Sequence, residues 1–104
     1  MDVNRDDSLQ SISVKLDRRN YSYWSYVMKN FLIGKKKYSY ISGKSVKPIN
    51  DKAENYAQLV ENWQVDNLKI ITWINNSVEH SIGTQLATYD TAKEVWEHLS
   101  RLYM

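Results

Sequence analysis

The chain has 104 residues, a formal charge of +2 and a mean hydropathy of −0.61, with no Cys. That length predicts one domain, and the missing thiols exclude disulfides, thiolate catalysis, iron–sulfur clusters and Cys-based zinc sites. So small a charge does not argue for nucleic-acid binding by itself, and no apolar run approaches the ~20 residues of a membrane helix.

Residues 1–10, MDVNRDDSLQ, are polar and unpatterned, which predicts a flexible N-terminal tail with no signal-peptide pattern. Residues 11–104 are then expected to form a single helical domain. Ser11 to Leu16 alternates polar and apolar, so Ile12, Val14 and Leu16 point one way, as in an extended strap laid on the helices. Asn20 or Ser22 can cap the segment that follows.

Tyr21 to Ile33 reads as a helix whose core face holds Trp24, Val27, Met28, Phe31 and Leu32. Tyr23, Tyr26 and Ile33 lie towards its other side. Either the strap covers them or they belong to a subunit contact. Gly34 is expected to end the helix, and Lys36 to Ile41 to add one short turn closed by Gly43.

Asn55 to Val78 is the longest periodic stretch, with Tyr56, Leu59, Val60, Trp63, Ile70, Ile71, Ile74 and Val78 on one broad stripe. Without Gly or Pro it predicts the central strut of the fold. Asn67 falls within the stripe, where a buried amide must find hydrogen-bond partners. Glu79 to Tyr89 predicts a shorter helix, weakened by Gly83. Thr91 and Glu94 have capping-box spacing, and Val95, Trp96, Leu99, Leu102 and Tyr103 continue as a stripe to the last residue. The apolar stripe reaching Met104 is expected to lead into further chain.

The class is therefore all-α, a compact bundle of four to five helices with a short extended N-terminal strap. The predicted core is Trp24, Met28, Phe31, Trp63, Ile70, Ile74, Val95, Trp96 and Leu99. Trp24, Trp63 and Trp96 are expected together, with Trp73 more exposed.

Chemistry-bearing patterns are few. His80 and His98 lie on no metal or catalytic motif, and Glu94 with His98 has the spacing of a helix-surface pair. Gly34, Gly43 and Gly83 are too far apart to cradle a phosphate. No catalytic, metal or cofactor site is therefore expected, and the reading is not an enzyme. Lys35, Lys36, Lys37, Lys44, Lys47 and Lys52 cluster with Tyr38 and Tyr40 interleaved. This segment is either a solvated face or a weak, non-specific contact to RNA.

The order of Leu16, Asn20-Tyr21, Trp24, Met28 and Leu32, then Tyr38, Ile41 and Gly43, resembles the N-terminal Gag segment of Ty1/copia-type LTR retrotransposons. The likeness continues through Trp63, Asp66, Trp73-Ile74, Ser77-Val78 and Ile82. It ends on TAKEVWEHL, residues 91–99. Such proteins carry a glycine in the turn before the Asn-Tyr pair, where Arg18-Arg19 stand here. The resemblance implies a capsid-type self-association module that packages element RNA in virus-like particles in the cytoplasm. Its partners are then further copies of itself and RNA, without membrane or small-molecule substrate. The alternative is a domesticated Gag remnant binding a host protein or RNA. The family's further helical domain and zinc knuckle do not appear in these residues, which fits either the N-terminal part of a longer Gag or such a remnant.

Overall fold

The computed structural model describes residues 10–104, and the tail reading of residues 1–10 falls almost entirely outside them. Five α-helices follow in order: α1 (Tyr21–Gly34), α2 (Ser39–Ser42), α3 (Tyr56–Asn75), α4 (His80–Gly83) and α5 (Ala92–Tyr103). A 3-10 segment, Thr84–Thr88, continues α4. The second short helix of the sequence reading is thus a single α turn that tightens into 3-10 geometry.

The strap is held by main chain as well as by side chains. Leu16 N–H donates to Ser77 O at 2.8 Å and Glu79 N–H donates to Leu16 O at 3.0 Å, pairing Leu16 with Val78 across the α3–α4 turn. Leu16 is fully buried, and Ile12 and Val14 pack against the core cluster. Asn20 precedes α1 but does not cap it with its side chain. Its amide accepts from Asp17 N–H and donates to Lys15 O, closing the strap-to-helix turn. Within that turn Arg18 takes a left-handed backbone, φ 82°, at the place where the resemblance puts a glycine.

Trp24 and Trp73 are the largest side chains at the centre, with Met28, Leu32, Ile70, Ile74, Ile82, Val95 and Leu99 around them. Trp24 stacks on Trp96 at 5.6 Å between centroids, and its Nε1–H donates to Ser77 Oγ at 3.2 Å. Ser77 Oγ donates in turn to Ile74 O at 2.9 Å, so the buried hydroxyl and indole N–H are both satisfied. Phe31 meets the edge of Trp73 at 5.1 Å.

Two expectations for the tryptophans are corrected. Trp73 is fully buried, and Trp63 lies outside the core cluster. Trp63 shares the stripe of Ile70 and Ile74 but sits two turns upstream, where its neighbours are Tyr40 and Ser45. Periodicity assigns a direction around a helix, while burial also needs a neighbour at that height along the axis. Phe31 and Trp96, expected in the core, are partly buried and packed on its edge.

Gly34 does not end α1 by left-handed geometry. It is the last helical residue, and the left-handed position falls to Lys36, φ 62°. Gly43, at φ 91°, does close α2 in that conformation. At α5 the capping box is complete: Glu94 N–H donates to Thr91 Oγ1, and Glu94 Oε1 accepts from Thr91 N–H. Glu94 is therefore engaged with the cap and not with His98. That ring instead meets Tyr89 Oη at 3.0 Å and Gln85 Oε1 at 3.4 Å.

Candidate assembly face and groove

Tyr21, Trp24, Met28 and Leu32 turn the inner face of α1 into the core. That leaves Tyr23, Tyr26 and Ile33 outside, at 60%, 63% and 51% exposure. The strap spends its apolar residues on the core and does not cover them. The stripe from Tyr23 to Ile33 runs ~15 Å at 1.5 Å per residue.

The lysine cluster is divided by its own chain. Lys35 Nζ lies over the rings of Phe31 and Trp73, at 5.5 and 5.7 Å. Lys37 Nζ is 3.5 Å from Asp66 Oδ2, the oxygen that also accepts from Tyr40 Oη at 3.1 Å. Partial burial, with the Asp66 hydrogen bond and charge added, pushes the Tyr40 hydroxyl up to about 12. Lys36, Lys44 and Lys47 are exposed. The six clustered lysines thus separate into two engaged with aromatic or acidic neighbours and four exposed ones, Lys36, Lys44, Lys47 and Lys52.

Between α2, α3 and the start of α5 lies a cavity of about 580 Å³. Tyr40, Trp63 and Leu68 provide its apolar wall, and Lys47, Asp90 and Lys93 its charges. A second hollow of about 240 Å³ adjoins it, sharing Leu68 and Asp90 and adding Ile71, Leu86 and Tyr89. A third, of about 230 Å³, shares Asn75 and Gly83 with the second. Together they flank α3 from Trp63 to Asn75, a length of ~18 Å at 1.5 Å per residue. Leu68 is 58% exposed between the first two. No α1 residue lines this groove.

Charge is segregated along the chain, a signal that the total of +2 conceals. Residues 10–50 carry nine basic side chains and one acidic, whereas residues 51–104 carry four basic and eight acidic. The basic excess lies mostly in the turns, at Arg18, Arg19, Lys35, Lys36, Lys37, Lys44 and Lys47, whereas the strap and α1 carry one lysine each, Lys15 and Lys29, and α2 none. Counting charge by segment rather than by chain exposes this. The groove itself is not readable from periodicity, because its wall combines residues from three separated segments.

Among the described residues no group of His, Cys, Asp and Glu could hold a metal ion, and no helix is long and apolar enough to cross a membrane. Residues 3–49 match the family described as Gag-polypeptide of LTR copia-type. The match spans the basic segment through α2 and stops before α3. No curated protein and no solved structure matches the chain.

Proposed function

We propose, from the premise that residues 3–49 are a copia-type Gag domain, that this chain is a self-associating structural module of a retrotransposon capsid, packaging element RNA in virus-like particles. The observation that carries the reading is the outer face of α1, where Tyr23, Tyr26 and Ile33 stay exposed after every apolar strap residue has been spent on the core. Burying such residues between subunits is favourable at ~25 cal/mol per Å² of apolar area. A shell repeats one contact many times, so each copy of it need only be weak.

Sedimentation of the chain across a concentration series tests this. Self-association is expected, and Tyr26→Ala or Ile33→Ser is expected to weaken it while leaving Tm unchanged, since both side chains face solvent in the single chain. Unaltered association in both variants would place the contact elsewhere.

RNA is the second partner in this reading, supported by the basic excess of residues 10–50 and the exposure of Lys36, Lys44 and Lys47. The expected binding is weak and independent of sequence, because phosphate contacts carry no base information.

A further inference from the structure

We propose that the cavity between α2, α3 and the start of α5 is a ribonucleotide site, in which a base stacks on the Tyr40–Trp63 pair, Lys47 holds phosphate and Asp90 accepts from a ribose hydroxyl. This rests on the RNA reading above and adds where a nucleotide is held. The exposed lysines of that reading touch phosphate alone.

The cavity, at about 580 Å³, lies within the ~300–1,000 Å³ range of small-molecule sites. Much of its polar wall is already used by the chain itself. Trp63 Nε1–H donates to Ser45 O at 3.4 Å, and Tyr40 Oη donates to Asp66 at 3.1 Å. With their polar ends engaged, both rings offer a ligand only ring surface. Their centroids are 6.2 Å apart at 36°, contact distance for two aromatic rings, so a base lies against the pair and not between its members. Asn67 is committed to the main chain of Asp90 and Ala92, Thr91 to the α5 cap, and Lys93 to Glu97.

Three exposed groups of the wall keep no side-chain partner among the described residues: the Lys47 ammonium, the Gln64 amide and the Asp90 carboxylate. A ligand that uses the whole wall therefore combines an aromatic face, an anion and a hydrogen-bond donor. A ribonucleotide has all three, in its base, phosphate and ribose hydroxyls. An apolar helix would leave both free charges unmatched, and a plain polyanion would waste the rings and meet Asp90. The free charges are one of each sign, so stacking and not net charge carries the binding. Stacking tolerates any sequence because every base has a π-face. It needs an unpaired base, however, since a duplex covers the faces of its bases. A carboxylate on the 2′-hydroxyl distinguishes RNA from DNA at the same position.

Fluorescence anisotropy of the full chain, freed of nucleic acid, tests the site. The probes are a mixed-sequence RNA oligonucleotide, the same sequence as DNA and as an RNA duplex, and AMP as competitor. Single-stranded RNA should bind more tightly than either other polymer. Trp63→Ala should weaken it by about 5- to 150-fold at fixed salt, with the salt slope unchanged and Trp63→Phe restoring part of the loss. Lys47→Ala should reduce the slope by about one phosphate contact. Asp90→Ala should abolish the preference for RNA over DNA, a ratio that a general change of charge does not move. These two exposed positions carry the test if Trp63→Ala does not fold. Competition by AMP assigns the site to free nucleotides as well, and its failure beside the oligonucleotide effects assigns the site to a strand.

Equal binding of single strand and duplex, with Trp63→Ala or both exposed-position variants behaving as the natural chain does, overturns the site and leaves the lysine–phosphate reading standing. An RNA preference that survives in Asp90→Ala overturns the ribose contact. Absence of any RNA binding at low salt ends both readings.

Discussion

Asn67 of α3 and Ala92, the first residue of α5, are joined by a 2.8 Å hydrogen bond from the Ala92 N–H to Asn67 Oδ1. The same amide donates from Nδ2 to Asp90 O at 2.8 Å. The first N–H groups of a helix have no partner within it. Thr91 satisfies the one at Glu94, and Asn67 satisfies the one at Ala92 from another helix. A polar residue in an apolar stripe thus becomes the pin that sets α5 against α3.

Removing that pin should cost more than an ordinary surface contact. Asn67→Leu leaves a buried donor and an acceptor without partners, which costs about 2 kcal/mol or more. In a domain of this size that is a fall of ~8–16 °C in Tm. Differential scanning calorimetry checks it, and a loss within a few tenths of a kcal/mol would show that water replaces the amide.

The tryptophans should divide by site. Trp73→Ala and Trp24→Ala each empty a fully buried position and are expected to cost ~3–5 kcal/mol. Trp63→Ala, at the groove, should cost markedly less. Urea unfolding of the three variants ranks them, and equal losses at Trp63 and Trp73 would contradict the placement of Trp63 outside the core.

Arg18 holds a left-handed backbone that an L side chain enters at a cost of ~1–2 kcal/mol and glycine does not. Arg18→Gly should therefore stabilise the chain, offset in part by losing the 3.0 Å Arg18–Ser81 hydrogen bond and by greater freedom of the unfolded chain. A raised urea midpoint with an unchanged slope is the expected result. Arg18→Val should lower the midpoint.

Tyr40 makes alkaline stability a readout of its contact with Asp66. Its folded pKa, raised to about 12, exceeds the ordinary value of 10.0. Through that interval the unfolded chain has released the proton and the folded chain retains it, so folding loses stability as pH rises. The contribution is complete below the ordinary pKa and gone above the folded one. Unfolding midpoints between those limits should fall more steeply for the natural chain than for Tyr40→Phe, and parallel curves would contradict the assignment.

For RNA, replacing Lys36, Lys44 and Lys47 together with Ala should flatten the salt dependence of oligonucleotide binding, because each phosphate contact releases counterions. Changing Lys35 and Lys37 should instead show first in stability, as they leave Phe31, Trp73 and Asp66 without their cation. Fluorescence anisotropy across a salt series, beside thermal melts, separates the two pairs of outcomes.

Helical period and local punctuation belong to neighbouring residues, and those parts of the fold are legible in the sequence. The inner face of α1, the extent of α3 within a few residues, the Thr91–Glu94 cap and the strap of Ile12, Val14 and Leu16 all follow from spacing, and so does the candidate outer face of Tyr23, Tyr26 and Ile33. What periodicity cannot supply is which stretch of a stripe meets a neighbour. Trp63 and Trp73 are both in α3, and only the packing of α1 and α5 beside its second half buries one and leaves the other at a groove. The same holds for the lysines: Asp66 and Trp73 are distant in sequence, yet they decide that Lys37 and Lys35 are engaged while Lys36 faces solvent. Asn67 shows the limit most directly. The sequence requires that a buried amide find partners, but the partners are main-chain groups of Asp90 and Ala92, and only the tertiary fold brings them within hydrogen-bonding distance.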